Sequence, residues 1–189
     1  VSAVERTPTV PPGRRTALFV GAVDYGPNKA ALRWFLDEVW PQVLRRVPEA
    51  RFLAVGRGLS AAHPRQTGEP DGVEFHSDVA SVDPFYERAD VCVVPLLSGG
   101  GTKIKLVEAL SRGRAVVTTS LGLEGLEEHR SVLRVADGAD AFAGALAELF
   151  ENPDQAAELG RSAADVARSF SWESAMTPLR DMLLAVRGV

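Results

Sequence analysis

The sequence predicts an α/β fold, a parallel sheet with helices on both faces. Short apolar runs rich in β-branched residues alternate along the chain with segments of helical periodicity, the pattern of strand–helix–strand units. Runs such as Val91-Cys92-Val93-Val94 are apolar throughout, as expected of strands covered on both sides. Glycines fall directly after several of these runs, at Gly21, Gly56 and Gly99-Gly100-Gly101. They put turns at the carboxyl ends of strands, where sheets of this kind bind ligands.

Taken in order, residues 1–15 carry Pro8, Pro11, Pro12 and Gly13 with little periodicity and read as a linker. The start without methionine reads as a cut from a longer protein or a processed end. Thr16 to Gly21 is a short buried strand. Leu32, Phe35, Leu36, Val39, Val43 and Val47 fall at near-helical spacing, so Pro27 to Val47 reads as a helix that Pro41 should kink or interrupt. Arg51 to Val55 is the second strand, followed by Gly56-Arg57-Gly58, and Pro64 to Asp71 is a turn-rich loop. Val73 to His76 is a strand, Asp83 to Arg88 a short helix and Asp90 to Pro95 a strand. After the glycines a helix runs from Thr102 to Ser111. Arg114 to Thr119 is a further strand and Val132 to Val135 a weaker one. Asp140 to Glu151 and Asp154 to Phe170 read as amphipathic helices, the second starting behind Pro153. The expected organisation is therefore a linker over 1–15, a domain over 16–170 and a terminal helix over 171–189. In that last helix Trp172, Met176, Leu179, Met182, Leu183 and Val186 form an apolar stripe.

The chain has 189 residues, enough for one good-sized domain with a core that needs no disulfide staples. A net charge of −4 argues against a nucleic-acid-binding surface. The single cysteine, Cys92, permits no internal disulfide and suits a reducing compartment, so a cytoplasmic location is expected. Lying inside a strand, Cys92 is expected to act as a small buried hydrophobe. No apolar stretch reaches the length of a membrane span. The histidines His63, His76 and His129 are scattered and show no metal-ligand spacing, and no nucleophile–base arrangement is recognisable.

Ser98 to Leu110 carries the chemistry. Consecutive glycines between a strand and a helix let the backbone approach a ligand closely, because no Cβ intervenes. The helix behind them offers unpaired N–H groups and the positive end of its dipole. The chain holds three lysines against eighteen arginines, and Lys103 and Lys105 both fall in this turn. A compact ammonium suits a phosphate as a point charge. With Glu108 one turn later, the segment describes a site for a phosphorylated ligand bearing a polar group beyond its phosphate. Because residues two apart on a helix point in different directions, only one of the lysines is expected to face the ligand.

Several segments together resemble the carboxyl-terminal half of family-4-like glycosyltransferases. They are Phe19-Val20-Gly21 with Pro27-Asn28 and Trp34-Phe35, then Val47 to Phe52 with Val55-Gly56, and Ala89-Asp90-Val91 with Val94-Pro95. Gly99 to Lys103 with Lys105 and Glu108-Ala109, Gly113 to Thr119, and Gly122 to Leu126 complete the set, so the likeness covers Leu18 to Trp172. The resemblance implies a GT-B architecture, two Rossmann-like domains facing across a cleft, of which this chain is the donor half. It implies transfer of a sugar from a nucleotide diphosphate sugar with retention of configuration, without a cofactor or bound metal. It further implies an acceptor domain upstream, and inactivity of this half alone.

Residue by residue, the resemblance gives Glu108 the ribose hydroxyls. It sets Lys103, Lys105, Thr102 and the backbone of Gly99, Gly100 and Gly101 against the diphosphate, as the catalytic and donor-binding elements. Gly21 and Gly56 line the donor crevice, Arg57 reaches the base or phosphate, and the backbone of Val79 meets the base. The chain departs from the family at two places. Gly100 stands where many members have the first glutamate of an E-x7-E pair, and Ala22 where many have an arginine; Lys29 is a candidate substitute for a lysine nearby. Two other readings stay open. One is a nucleotide-binding or interaction module without catalysis, which those departures favour. The other is half of a sugar-nucleotide epimerase, whose acid and histidine groups have no place in this sequence.

Overall fold

The computed structural model describes residues 13–59, 71–100 and 103–168. Most of the expected linker, Gly101, Thr102 and the expected helix over 171–189 lie outside them.

Six strands form one sheet: β1 (Thr16–Val20), β2 (Arg51–Gly56), β3 (Val73–Ser77), β4 (Val91–Val94), β5 (Ala115–Thr118) and β6 (Arg134–Val135). They are interleaved with helices α1 (Gly26–Trp34), α2 (Trp40–Arg46), α3 (Asp83–Arg88), α4 (Ile104–Ser111), α5 (Ser120–Leu123), α6 (Ala139–Glu151) and α7 (Pro153–Ala167). All neighbours pair in parallel in the order β3-β2-β1-β4-β5-β6, with Leu18 facing both Leu53 and Cys92. This is the Rossmann-like doubly wound arrangement, and its order reverses between β1 and β4. The loops that leave those two strands carry Gly21 and the Gly99-Gly100 turn.

Side chains alternate across the strands into two cores. On one face Phe19, Phe52, Val93 and Val117 pack with Phe35, Trp40, Phe142 and Leu146. On the other Leu18, Leu53, Cys92 and Val116 pack with Tyr86, Leu106, Leu110 and Leu123. Helix α7 spans the two, with Leu159 in the first core and Ala163 in the second. Aromatic contacts tie the first layer to the sheet: the rings of Phe35 and Phe52 lie 4.6 Å apart and those of Trp40 and Phe52 5.5 Å apart. Cys92 is buried, and that burial pushes its thiol up to about 12, in keeping with a small hydrophobe.

The interruption expected at Pro41 sits one turn earlier. Residues Phe35–Val39 form a π-helical turn, and the Trp40 N–H reaches back to the Phe35 carbonyl. Pro41 has no N–H to offer the preceding turn and its ring crowds the carbonyl four residues back. Widening the helix just before it places Pro41 in the first turn of α2, where no donor is required. The expected strand at Val132 to Val135 shrinks to β6, because Glu127–Val132 forms a 3₁₀ helix. Helix α5 was not anticipated; Thr119 caps it, its hydroxyl accepting from the Gly122 N–H at 3.0 Å.

The loops at the carboxyl edge extend the parallel pairing past the strands. The Gly21 N–H donates to the Val55 carbonyl at 2.9 Å, Val23 to Arg57 at 2.9 Å and Asp78 to Gly56 at 3.2 Å. This zipper brings Gly56 so close to Gly21 that a Cβ on Gly56 would sit 2.0 Å from the Gly21 carbonyl oxygen. A Gly56→Ala substitution should therefore lower the unfolding free energy by about 2 kcal/mol or more, roughly 4–8 °C in a domain of this size. Thermal unfolding followed by circular dichroism checks it; an unchanged midpoint would contradict the close approach.

Candidate functional site

Four loops meet where the strand order reverses. The loop after β1 runs Gly21 to Tyr25 into α1, the loop after β2 carries Arg57, the loop after β3 carries Asp78 and Val79, and the loop after β4 carries the glycines. Gly99 takes φ +102°, and a Cβ there would meet Pro27 Cγ at 3.0 Å and the Tyr25 hydroxyl at 3.2 Å. The glycine loop thus lies flat on the start of α1. Gly100 is exposed, and no atom lies within 4 Å of where its Cβ would be. The site has room at the position of the family's missing glutamate.

Both lysines lie at this edge, and their side chains turn to different partners. Lys103 precedes α4 as its N-cap residue, with φ −81° and ψ 66°, so helical geometry does not separate it from Lys105. Its side chain is 4% exposed; Nζ donates to the Gly99 carbonyl at 2.9 Å and lies 3.4 Å from Glu124 Oε2. Lys105 reaches the other way. Its Nζ donates to Asn28 Oδ1 and sits 5.1 Å from the centre of the Phe19 ring. Burial, and then the nearby charge of Lys103, bring the Lys105 ammonium down to about 8. Two cations with one carboxylate between them make an edge short of negative charge.

Asn28 escaped the sequence reading as a site residue. It is buried in the first turn of α1, and its Nδ2 donates to the Ala22 carbonyl at 2.8 Å. The adjacent Lys29 is exposed. Lys105 crosses from α4 to bring a positive group to the start of α1.

The remaining residues form the flank of the site beside β2 and β3. Arg57 Nε donates to Asp24 Oδ2 at 2.8 Å, on an exposed surface, and this contact holds the Asp24 carboxyl below its usual range. Arg57 also feels the charge of Asp78, so it bridges the three loops that follow β1, β2 and β3. Val79 sends its side chain into the second core. Glu108 is half-buried near Tyr86; burial of that phenol, with the Glu108 carboxylate nearby, pushes its ionisation far up. Tyr86 therefore stays protonated. It too was missed, since a tyrosine in a short helix carries no sequence signal.

His76 lies 3.2 Å from Glu74 Oε2, its ring 4.6 Å from that of Phe85. Among the described residues three large apolar side chains are exposed, Tyr25, Leu97 and Ile104, and all three rim this edge. Among the described residues no group of three or more His, Cys, Asp or Glu side chains could hold a metal ion. No helix there is long and apolar enough to cross a membrane.

Chemically, the edge offers backbone amides, the start of α4 and an unneutralised ammonium for an anion, with carboxylate and guanidinium groups beside them for a polar extension.

Residues 14–152 match the family described as "Glycosyl transferases group 1". A phosphatidyl-myo-inositol mannosyltransferase of Mycolicibacterium smegmatis is 30% identical over 169 residues, covering 84% of this chain and 42% of the relative. The crystal structure of TarM superposes with a TM-score of 0.76 at 17% identity, over 96% of this chain and 37% of that one. Anabaena HepE, crystallised with UDP and glucose, superposes with a TM-score of 0.64 at 14% identity, over 94% and 49%. The chain thus spans less than half the length of each of these proteins.

The low value of Lys105 makes a sign-definite prediction. Between pH 8 and its ordinary 10.5 the unfolded chain holds the Lys105 proton and the folded chain releases it, so this residue adds stability as pH rises through that window. Urea unfolding across the window should show a wild-type rise, relative to Lys105→Met, that the variant lacks. Parallel curves would contradict the buried ammonium.

Proposed function

The chain belongs to the glycosyl transferases group 1 family, and from that premise we propose that it is the donor-binding half of a retaining glycosyltransferase. The reaction is transfer of a sugar, of hexosyl type, from a nucleotide diphosphate sugar to an acceptor held by a domain upstream in the parent protein. The observation that carries this reading is the convergence of Lys103, Lys105 and the glycine loop on the start of α4 at the switch point. There, positive charge outweighs its one carboxylate. A diphosphate supplies the missing negative charge. The relative named for mannosyl transfer and the similar fold crystallised with UDP support the same donor class.

In this reading the amides of Gly99, Gly100, Gly101 and Thr102 meet the diphosphate, with the lysine charge beside them. When the bond from the anomeric carbon to the diphosphate oxygen breaks, negative charge grows on the leaving group. Fixed dipoles and ammonium charge stabilise it there without reorganisation. Glu108 accepts the ribose hydroxyls, and its carboxylate has lone pairs enough for both donors. Arg57 and the Val79 backbone border the base, and Gly21 and Gly56 let the loops close on one another beneath the nucleotide. No cofactor or metal enters the scheme, the cations being the protein's own. The apolar rim of Tyr25, Leu97 and Ile104 supports an edge covered by the acceptor half. The lone thiol of Cys92 supports a cytoplasmic setting.

One observation favours a second reading, a nucleotide-binding module without catalysis: the open space at Gly100, where the family's carboxylate is missing.

Calorimetric titration with UDP, GDP and ADP tests the proposal. One nucleotide should bind, and Glu108→Ala should weaken it about tenfold with the fold unchanged, as loss of hydrogen bonds to a charged group predicts. Undiminished affinity in a folded variant would remove the ribose role. The 189-residue chain should bind donor yet transfer no sugar, whereas the parent protein transfers it; binding without transfer by the parent would favour the module.

A further inference from the structure

We propose that the two lysines divide the work: Asn28 seats the Lys105 ammonium toward the diphosphate, while Lys103 clamps the glycine loop and does not touch the ligand. The inference rests on the donor reading above and assigns Asn28 as a positioning residue.

The two ammonium groups differ in what they have left to give. An ammonium has three N–H donors. Lys103 has two acceptors among the described residues, the Gly99 carbonyl and Glu124, and its side chain is 4% exposed, so it presents little surface to a ligand. Its contact with the Gly99 carbonyl ties that residue to the start of α4. Lys105 has one acceptor among the described residues, Asn28 Oδ1, and the Phe19 ring beneath it satisfies no donor fully. It therefore keeps donors for an incoming oxygen.

Asn28 suits this task because it is neutral and held at both ends of its amide. Its Nδ2 donates to the Ala22 carbonyl, and only with that orientation can Oδ1 accept from Lys105. The absence of a side chain at Gly21 matters here: a Cβ there would press on Asn28 Nδ2 at 3.1 Å and on the Phe19 ring at 3.1 Å. An acidic residue at 28 would neutralise the ammonium and compete with the diphosphate, whereas an amide orients it and leaves its charge available. The groups facing Lys105 are Asn28 from α1, Phe19 from β1 and, as the charged neighbour, Lys103 ahead of its own helix. None is anionic, and Glu124 is engaged by Lys103. The low value of Lys105 accords with a cation lacking a counter-charge.

The chain's three lysines make the test direct, since the ¹³Cε resonances of Lys29, Lys103 and Lys105 can each be assigned by substitution. On adding whichever of UDP, GDP and ADP binds most tightly to the whole chain, the Lys105 resonance should shift and that of Lys103 should stay near its starting position. Asn28→Ala should abolish the Lys105 shift and weaken the nucleotide about tenfold, as should Lys105→Ala. The double variant should be no weaker than Lys105→Ala alone, because the two residues act as one unit. Asn28→Asp, which keeps an acceptor but adds a negative charge, should also weaken the nucleotide. Lys103→Ala should lower the thermal unfolding midpoint and weaken binding by less than Lys105→Ala.

Nucleotide binding with an unmoved Lys105 resonance, or with full affinity in a folded Asn28→Ala, would overturn this inference and leave the donor reading intact. A Lys103 resonance that shifts in place of Lys105 would reverse the assignment. Failure of all three nucleotides to bind the wild-type chain would overturn both readings together.

Discussion

Six strands running one way in the order β3-β2-β1-β4-β5-β6 place every loop that leaves a strand on one edge, and the order in which the chain adds them reverses between β1 and β4. The site depends on that constraint. Parallel strands with helices on both faces must be apolar on both sides, so polar and charged groups are driven to the strand ends. At the reversal the loops from β1 and β4 leave toward opposite sides and leave a crevice between them. Gly21 and Asn28 stand on one bank, and Gly99, Lys103 and Lys105 on the other. The polar contact across this crevice, from Lys105 to Asn28, connects residues that only this topology brings together, and the Ala22 carbonyl holds Asn28 on its own bank.

Holding ammonium groups out of water is unfavourable unless something compensates. Lys103 is compensated locally by a carbonyl and a carboxylate, and it serves loop geometry. Lys105 is compensated by one neutral amide and an aromatic face, and its proton is correspondingly easy to remove. The asymmetry links folding to function: the structure tolerates an under-compensated cation at the place where an anionic ligand would complete it. Positive charge fixed in position before the ligand arrives stabilises charge developing on a leaving group more effectively than mobile water.

The parallel sheet was legible in the sequence because its strands are short, continuously apolar and followed by glycine. Thr16–Val20 ahead of Gly21, and the run Phe52-Leu53-Ala54-Val55 ahead of Gly56, show that pattern. The π turn at Phe35–Val39 was not, because Pro41 announces a broken helix but not the direction in which the break is accommodated. The segment from Ser120 to Val132 was missed because two short helices complete no amphipathic period. The glycine loop, both lysines and Glu108 were legible as a phosphate-like motif. Their division of labour was not, because it turns on Lys103 lying outside the helix as its cap. Asn28 has its partner distant in sequence, at Lys105, and nothing local marks it.

The central claim is that the carboxyl edge at the β1–β4 reversal is a nucleotide diphosphate site. The most direct measurement is a map of backbone amide shifts in ¹⁵N-labelled protein as UDP, GDP or ADP is added. Perturbations gathered at Gly21 to Asn28, Arg57, Val79 and Gly99 to Glu108 are the predicted result. Perturbations gathered at the opposite edge, around Asp90 and Arg114, would contradict it.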